Sequence, residues 1–84
     1  MNRTDNIQLL ILTPQETLFE GLVEKVDLPG AKGRFMVLRN HAPVISSLSA
    51  GEVVYVSGGA EGRVAIVAGF VRVSENVVVV CAEV

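Results

Sequence analysis

Glycine or proline interrupts this chain at Pro14, Gly21, Pro29-Gly30, Gly33, Pro43, Gly51, Gly58-Gly59, Gly62 and Gly69. No window of about ten to twelve residues carries a helical apolar stripe free of a breaker. Between the breaks the apolar residues are mainly valine, accompanied by isoleucine, threonine, tyrosine and phenylalanine, the side chains that pack well on a pleated surface. Apolar stretches this short and this regularly interrupted predict an all-β fold, a two-sheet antiparallel β-sandwich of about ten short strands. Residues 1–84 are expected to form one domain, with no internal repeat, low-complexity segment or linker.

Strands are expected over residues 7–13, 17–23, 24–28, 34–38, 43–48, 51–57, 62–67, 70–74 and 76–81. Gly21 reads as a bulge within the second of these. Pro29-Gly30 reads as a turn, Gly58-Gly59-Ala60-Glu61 as the tip of one hairpin and Ser74-Glu75-Asn76 as the tip of another.

Composition narrows the function. Half of the residues are hydrophobic and 19% are charged, which excludes a disordered chain. A formal net charge of −2 and an isoelectric point near 5.2 argue against a nucleic-acid partner, which favours a basic excess. The single cysteine forms no internal disulfide, so the core is unstapled, which suits a reducing compartment or an assembly that lends stability. The polar start, Met1 to Asn6, does not resemble a signal peptide. The apolar runs Leu9 to Leu12 and Val77 to Ala82 fall far short of the roughly 20 residues of a membrane-spanning helix, so no direct membrane insertion is expected.

No catalytic or metal constellation emerges from the residues. His41 is the only histidine, and Cys81, the only cysteine, is expected to be buried in a valine run where its thiolate is disfavoured. Ser46, Ser47 and Ser49 lack the Gly-x-Ser-x-Gly elbow of a nucleophilic serine. Pro29 to Gly33 lacks the spacing of a phosphate loop. Glu16, Glu20, Glu24 and Asp27 read as solvated faces. No cofactor, metal or catalytic residue is expected.

Two features invite a partner. Val77, Val79 and Cys81 alternate with Val78, Val80 and Ala82, so both faces of the last strand are apolar, whereas an outer sandwich face ordinarily turns polar. Either loops or a twisted neighbour cover the second face, or another subunit does. Lys32, Arg34 and Arg39 also gather basic charge in one region, with His41 just beyond. That cluster is either a solvated loop or an electrostatic contact that orients a partner.

Taken in order, several motifs resemble the ε subunit of F-type ATP synthase. They are Leu12-Thr13-Pro14, then Leu18 through Val26, then Leu28-Pro29-Gly30-x-x-Gly33, then Val37-Leu38-x-x-His41-Ala42-Pro43. Ser49 through Val53, Gly69 through Val73 and Asn76 through Val80 continue the likeness, which covers Leu9 to Ala82. The resemblance implies a non-catalytic sandwich on the rotor. It would grip the γ subunit, rest on the ring of c subunits and couple proton-driven rotation of the ring to γ. It also implies a peripheral position on the cytoplasmic face of a bacterial plasma membrane. The residues it points to for the c-ring are Ala31, Lys32, Gly33, Arg34, Asn40 and His41, with a turn-capping role open for His41. For γ they are Thr13, Ser46, Phe70, Val71 and Arg72.

The sequence departs from the family pattern at Met36, where a glycine is usual, and at Arg39, where the motif's preceding proline is replaced. Arg34 stands where the family often carries an acidic residue, which implies an acidic ring residue opposite it. Members of the family usually continue into a C-terminal helical hairpin that inhibits ATP hydrolysis or binds ATP. The sequence stops at Glu83-Val84, so neither property is expected of these residues. The reading from another class is a stand-alone sandwich that takes a peptide by strand addition or a ligand between its sheets.

Overall fold

The structure, a computed structural model, describes residues 6–84. Nine strands follow one another: β1 (Ile7–Leu12), β2 (Thr17–Val23), β3 (Lys25–Leu28), β4 (Phe35–Val37), β5 (Val44–Leu48), β6 (Gly51–Ser57), β7 (Ala60–Ile66), β8 (Ala68–Ser74) and β9 (Val77–Glu83). They build a five-stranded sheet in the order β2-β1-β9-β8-β5 and a four-stranded sheet in the order β4-β3-β6-β7. The expected all-β sandwich is what the chain forms. One pairing departs from the antiparallel rule: β1 lies parallel to β9 at the centre of the larger sheet.

The chain changes sheets abruptly. Glu24 alone separates β2 from β3, and its N–H donates to the Val56 carbonyl at 2.7 Å. Val67 alone separates β7 from β8, and its N–H donates to the Glu83 carbonyl at 2.9 Å. Such short links keep the two sheets in register and leave little slack in the connections.

The core lies between the sheets. Ile7, Leu9, Ile11, Val71, Val73, Val78, Val80 and Ala82 face inward from the larger sheet, opposite Val26, Leu28, Val37, Val53 and Ile66. Phe19 and Tyr55 close one part of the gap, their ring centroids 4.2 Å apart at 39°. Tyr55 pairs with Gly62 across β6 and β7, and a Cβ at Gly62 would come within 2.3 Å of the tyrosine Cζ. Glycine is required there because the ring lies over it.

Both expected hairpins form, with tighter tips than the sequence indicated. The first turns on Gly58-Gly59 alone, with φ of 59° and 81°, so Ala60 and Glu61 join β7. The second turns on Glu75-Asn76, with φ of 51° and 64°. Two positive φ values in a two-residue loop match the twist of the flanking strands. Glu75 holds this conformation without the relief glycine gives. Glu75→Gly is therefore expected to raise stability by about 0.5–1 kcal/mol, read as a higher midpoint in urea at unchanged slope.

Two local expectations are corrected. The irregularity in β2 is not at Gly21, which pairs normally with Leu9; it falls where Ile11 meets Phe19 and Leu12 meets Thr17, leaving Leu18 as the extra residue. Cys81 is half-buried on the outside of the larger sheet, because the inward parity of β9 belongs to Val78, Val80 and Ala82.

Candidate functional site

The outer face of the five-stranded sheet gathers half of the large hydrophobic residues that are exposed among the described residues. Leu22 is 42% exposed, Ile45 76%, Phe70 52% and Val77 41%. Strand register orders this face into three transverse rows. Leu22, Gln8, Val77 and Ser74 form one; Glu20, Leu10, Val79, Arg72 and Ile45 the next; Thr17, Leu12, Cys81, Phe70 and Ser47 the third. Leu10, Leu12, Val79 and Cys81, half-buried by their neighbours, make the middle of the face largely apolar, with Gln8 as its polar member. Its charges are Glu20 and Arg72, on either side of that middle, and Glu83 at the end of β9 beside the groove. None of them makes an ion pair among the described residues.

At one end of this face lies an open groove of about 440 Å³ lined by Leu12, Thr13, Pro14, Phe70 and Cys81, among others. Thr13 is held there by its own turn. Its Oγ1 accepts from the N–H groups of Gln15 at 3.3 Å and Glu16 at 3.1 Å, and its N–H donates to the Glu16 carbonyl at 2.8 Å. The structure thus brings Thr13 and Phe70 together on one apolar surface, with Arg72 one row away.

The other two residues expected to meet γ are not part of that surface. Val71 is 0% exposed and points into the core, since strand parity sends it opposite to Phe70 and Arg72. Ser46 pairs with Val71, lies on the same side of the sheet as it and is half-buried. Ile45 takes the outward position instead. The sequence stretch Val44-Ile45-Ser46-Ser47-Leu48 carries an apolar residue on each parity, so alternation alone did not distinguish them.

The residues expected at the c-ring fall into two groups. Gly30 to Gly33 is a β-turn closed by the Gly33 N–H donating to the Gly30 carbonyl at 3.0 Å, with Ala31 and Lys32 exposed at its tip. A Cβ at Gly30 would lie 2.6 Å from the Gly33 oxygen, so the turn demands glycine there. The turn is tied to the Leu48 end of β5, through Ala31 N–H to the Ser47 carbonyl and Ser49 N–H to the Pro29 carbonyl. Asn40 and His41 precede the opposite end of β5. There the Asn40 N–H donates to Asn76 Oδ1 at 2.6 Å, pinning the loop to the β8–β9 turn. Four strand residues, about 14 Å, separate the two ends of β5. The structure therefore does not bring Asn40 and His41 together with Ala31 to Arg34.

His41 is occupied locally. Its N–H donates to the Leu38 carbonyl at 3.1 Å, and its Nδ1 lies 2.7 Å from the Ala42 carbonyl, which places the proton on Nδ1 as donor. This is the turn-capping arrangement.

Arg34 is likewise engaged within the chain. Its Nε donates to Asp27 Oδ1 at 3.2 Å, and a terminal nitrogen donates to the carbonyls of Asp27 at 3.3 Å and Glu52 at 2.8 Å. Beside it, Arg63 pairs with Glu52 at 2.9 Å and with Glu61. The hydrogen bond to Glu52, then that to Glu61, holds the Arg63 guanidinium's pKa above its ordinary value. The outer side of the four-stranded sheet thus carries paired charges around Val54, Val56 and Met36, in contrast to the largely apolar outer side of the larger sheet. Among the described residues no three His, Cys, Asp or Glu side chains gather to hold a metal ion.

These features define a small two-sheet β-sandwich with one charged outer face and one apolar outer face. The family described as ATP synthase, Delta/Epsilon chain, beta-sandwich domain matches residues 6–84, and the chain belongs to that family. It is 38% identical over 74 residues to the ATP synthase epsilon chain of Rhodopseudomonas palustris (strain BisB5), covering 88% of this chain and 55% of that relative. It is 40% identical over 77 residues to the ATP synthase epsilon chain of Anaeromyxobacter sp. (strain Fw109-5), covering 92% and 58%. The chain thus spans little more than half the length of these curated relatives.

The fold recurs in solved assemblies. A chain of the Euglena gracilis mitochondrial ATP synthase (OSCP/F1/c-ring, rotational state 1) superposes with a TM-score of 0.87 at 22% identity, over 98% of this chain and 53% of that one. A chain of the Tetrahymena thermophila mitochondrial ATP synthase (central stalk/c-ring) superposes with a TM-score of 0.75 at 10% identity, over 92% and 63%.

Proposed function

We propose that this domain is a non-catalytic part of the central stalk of a proton-translocating F-type ATP synthase, coupling rotation of the c-ring to the γ subunit. The observation that carries the reading is the apolar outer face of the five-stranded sheet, exposed in a chain of this family. A lone soluble domain gains nothing by presenting Ile45, Phe70, Leu22 and Val77 together. A partner that covers them removes apolar surface from water and holds the sandwich as a rigid body, since close-packed interiors transmit strain.

In this reading γ docks on the groove and its surroundings, through Thr13, Phe70 and Arg72, joined by Ile45. The ring contact falls to the exposed turn Ala31-Lys32-Gly33. Arg34 stiffens that turn from behind through Asp27 and Glu52, which replaces the acidic ring partner implied by the sequence likeness. Asn40 and His41 shape the β4–β5 loop at the other end of β5. The domain would act as a peripheral subunit on the cytoplasmic face of a bacterial plasma membrane; no helix among the described residues is long and apolar enough to cross one.

Affinity purification of the tagged protein from native membranes tests the reading. The γ and c subunits are expected to co-purify, with Lys32→Glu weakening retention of the ring while sparing γ. Loss of salt sensitivity in that variant would support a charge contact at the turn, since rim charges act mainly on association rate. Recovery of neither subunit would overturn the assignment.

A further inference from the structure

The outer face of the five-stranded sheet is self-complementary. Glu20 and Arg72 occupy the same transverse row, separated by Leu10 on β1 and Val79 on β9. Three strand spacings, about 14 Å, keep them from pairing within one chain. A line running along the strands between β1 and β9 is midway between the two charges. Two-fold rotation about an axis parallel to that line, just outside the sheet, brings a second copy face to face with the first. It also sets Glu20 of each copy opposite Arg72 of the other. In the same operation Leu10 meets Val79, Leu12 meets Cys81, Thr17 meets Phe70, and Leu22 meets Ser74. Gln8 meets Val77, and Glu20 and Arg72 each face their opposite, while Glu83 lies beyond these rows at the end of the interface.

We propose that the free chain forms a two-fold symmetric dimer through this face, with two Glu20–Arg72 pairs flanking a core of Leu10, Val79, Leu12 and Cys81. An isologous interface needs one patch that complements itself under rotation, and the row order supplies it. Sheets packed face to face lie about 10 Å apart, the spacing at which facing side chains interdigitate. The face measures roughly 20 Å by 20 Å, so two copies bury about 800 Å², less than a stable specific interface buries. The dimer is accordingly weak and transient. The inference concerns the free chain and stands apart from the γ reading. A partner that docks on the same face would displace the second copy.

Cys81 reports the geometry directly, because it is the only cysteine in the chain. It lies next to the proposed axis, about 11 Å between Cα atoms across the interface, too far for a disulfide but within reach of a short bismaleimide. At about 500 μM protein, where mass action favours association, bismaleimide treatment should give a covalent dimer as a major product. Cys81→Ser should give none. Sedimentation equilibrium of the unmodified chain should show a monomer–dimer equilibrium. Glu20→Arg and Arg72→Glu should each weaken it about tenfold, and the two together should restore it to within about threefold. A chain that stays monomeric at about 500 μM overturns the proposal and leaves the face to a different protein. Dimers that neither cross-link through Cys81 nor respond to the charge changes overturn it too, because they would form elsewhere.

Discussion

Leu9→Ala is expected to destabilise the domain by about 3–4 kcal/mol, the middle of the range for a buried leucine. Leu9 is 0% exposed at the middle of β1, paired with Gly21 on one side and Val78 on the other. Truncation loses the transfer free energy of the removed carbons and leaves a cavity. That cavity closes poorly, because Gly21 has no side chain to move into it and Val78 is held on both sides, by β1 and β8. A domain of this size is stable by only about 5–10 kcal/mol, and each 1 kcal/mol shifts its melting temperature by roughly 4–8 °C. Thermal unfolding followed by far-ultraviolet circular dichroism should therefore drop by about 15 °C or more, and the variant should remain a β protein at low temperature. Leu22→Ala, on the outer face, should move the transition by only a few degrees, since exposed positions rarely matter by more than about 0.5 kcal/mol. Equal effects at the two positions would mean that the inner and outer parities of β1 and β2 are misassigned.

The contrast between Leu9 and Leu22 marks what the sequence carried and what it did not. Strand existence was local information. Pro14, Pro29-Gly30, Pro43, Gly51 and Gly58-Gly59 sit at or beside strand ends in the structure, and each expected strand is present with ends displaced by a few residues at most. The parity of a strand was legible where only one face was apolar, as in Lys25-Val26-Asp27-Leu28. It was not legible in Val77 to Ala82, where both parities are apolar, and there the neighbours decide. Parallel pairing with β1 and antiparallel pairing with β8 put Val78 and Val80 inward and leave Cys81 outward.

The same reasoning explains the site. Phe70 and Thr13 were found as family-like positions, and the structure places both on one groove. Val71 was included only because it lies between Phe70 and Arg72 in sequence, and successive strand residues point to opposite faces. The bond between Arg34 and Asp27 joins two strands, and the distance between the Lys32 turn and His41 is set by which end of β5 each adjoins. Those are facts of register, and no spacing along the chain encodes them. Ile45, the most exposed large hydrophobic residue on the face, escaped notice for the same reason.

Phe70→Glu is expected to abolish the γ contact while leaving the domain folded, and it separates the proposed γ surface from the proposed ring surface. Phe70 is 52% exposed, so its ring gives the isolated sandwich little, and a glutamate at that point can reach water. Phe70 lines the groove together with Leu12, Pro14 and Cys81, where γ is proposed to dock. Removing an aromatic anchor from the centre of an interface costs about 2–4 kcal/mol, and a carboxylate left there must also be desolvated. Affinity for γ should fall by about 100-fold or more. The melting temperature of the free chain should change by only a few degrees. Val71→Glu, one residue on, should instead unfold the protein, because that side chain points into the core with no room for a charge. In pull-downs from membranes carrying Phe70→Glu, γ should be absent from the purified material. Lys32→Glu should give the converse pattern, keeping γ and losing salt-sensitive retention of the ring. Retention of γ at wild-type levels by a folded Phe70→Glu chain would place the γ contact elsewhere, with the charged outer face of the four-stranded sheet as the surface to test next.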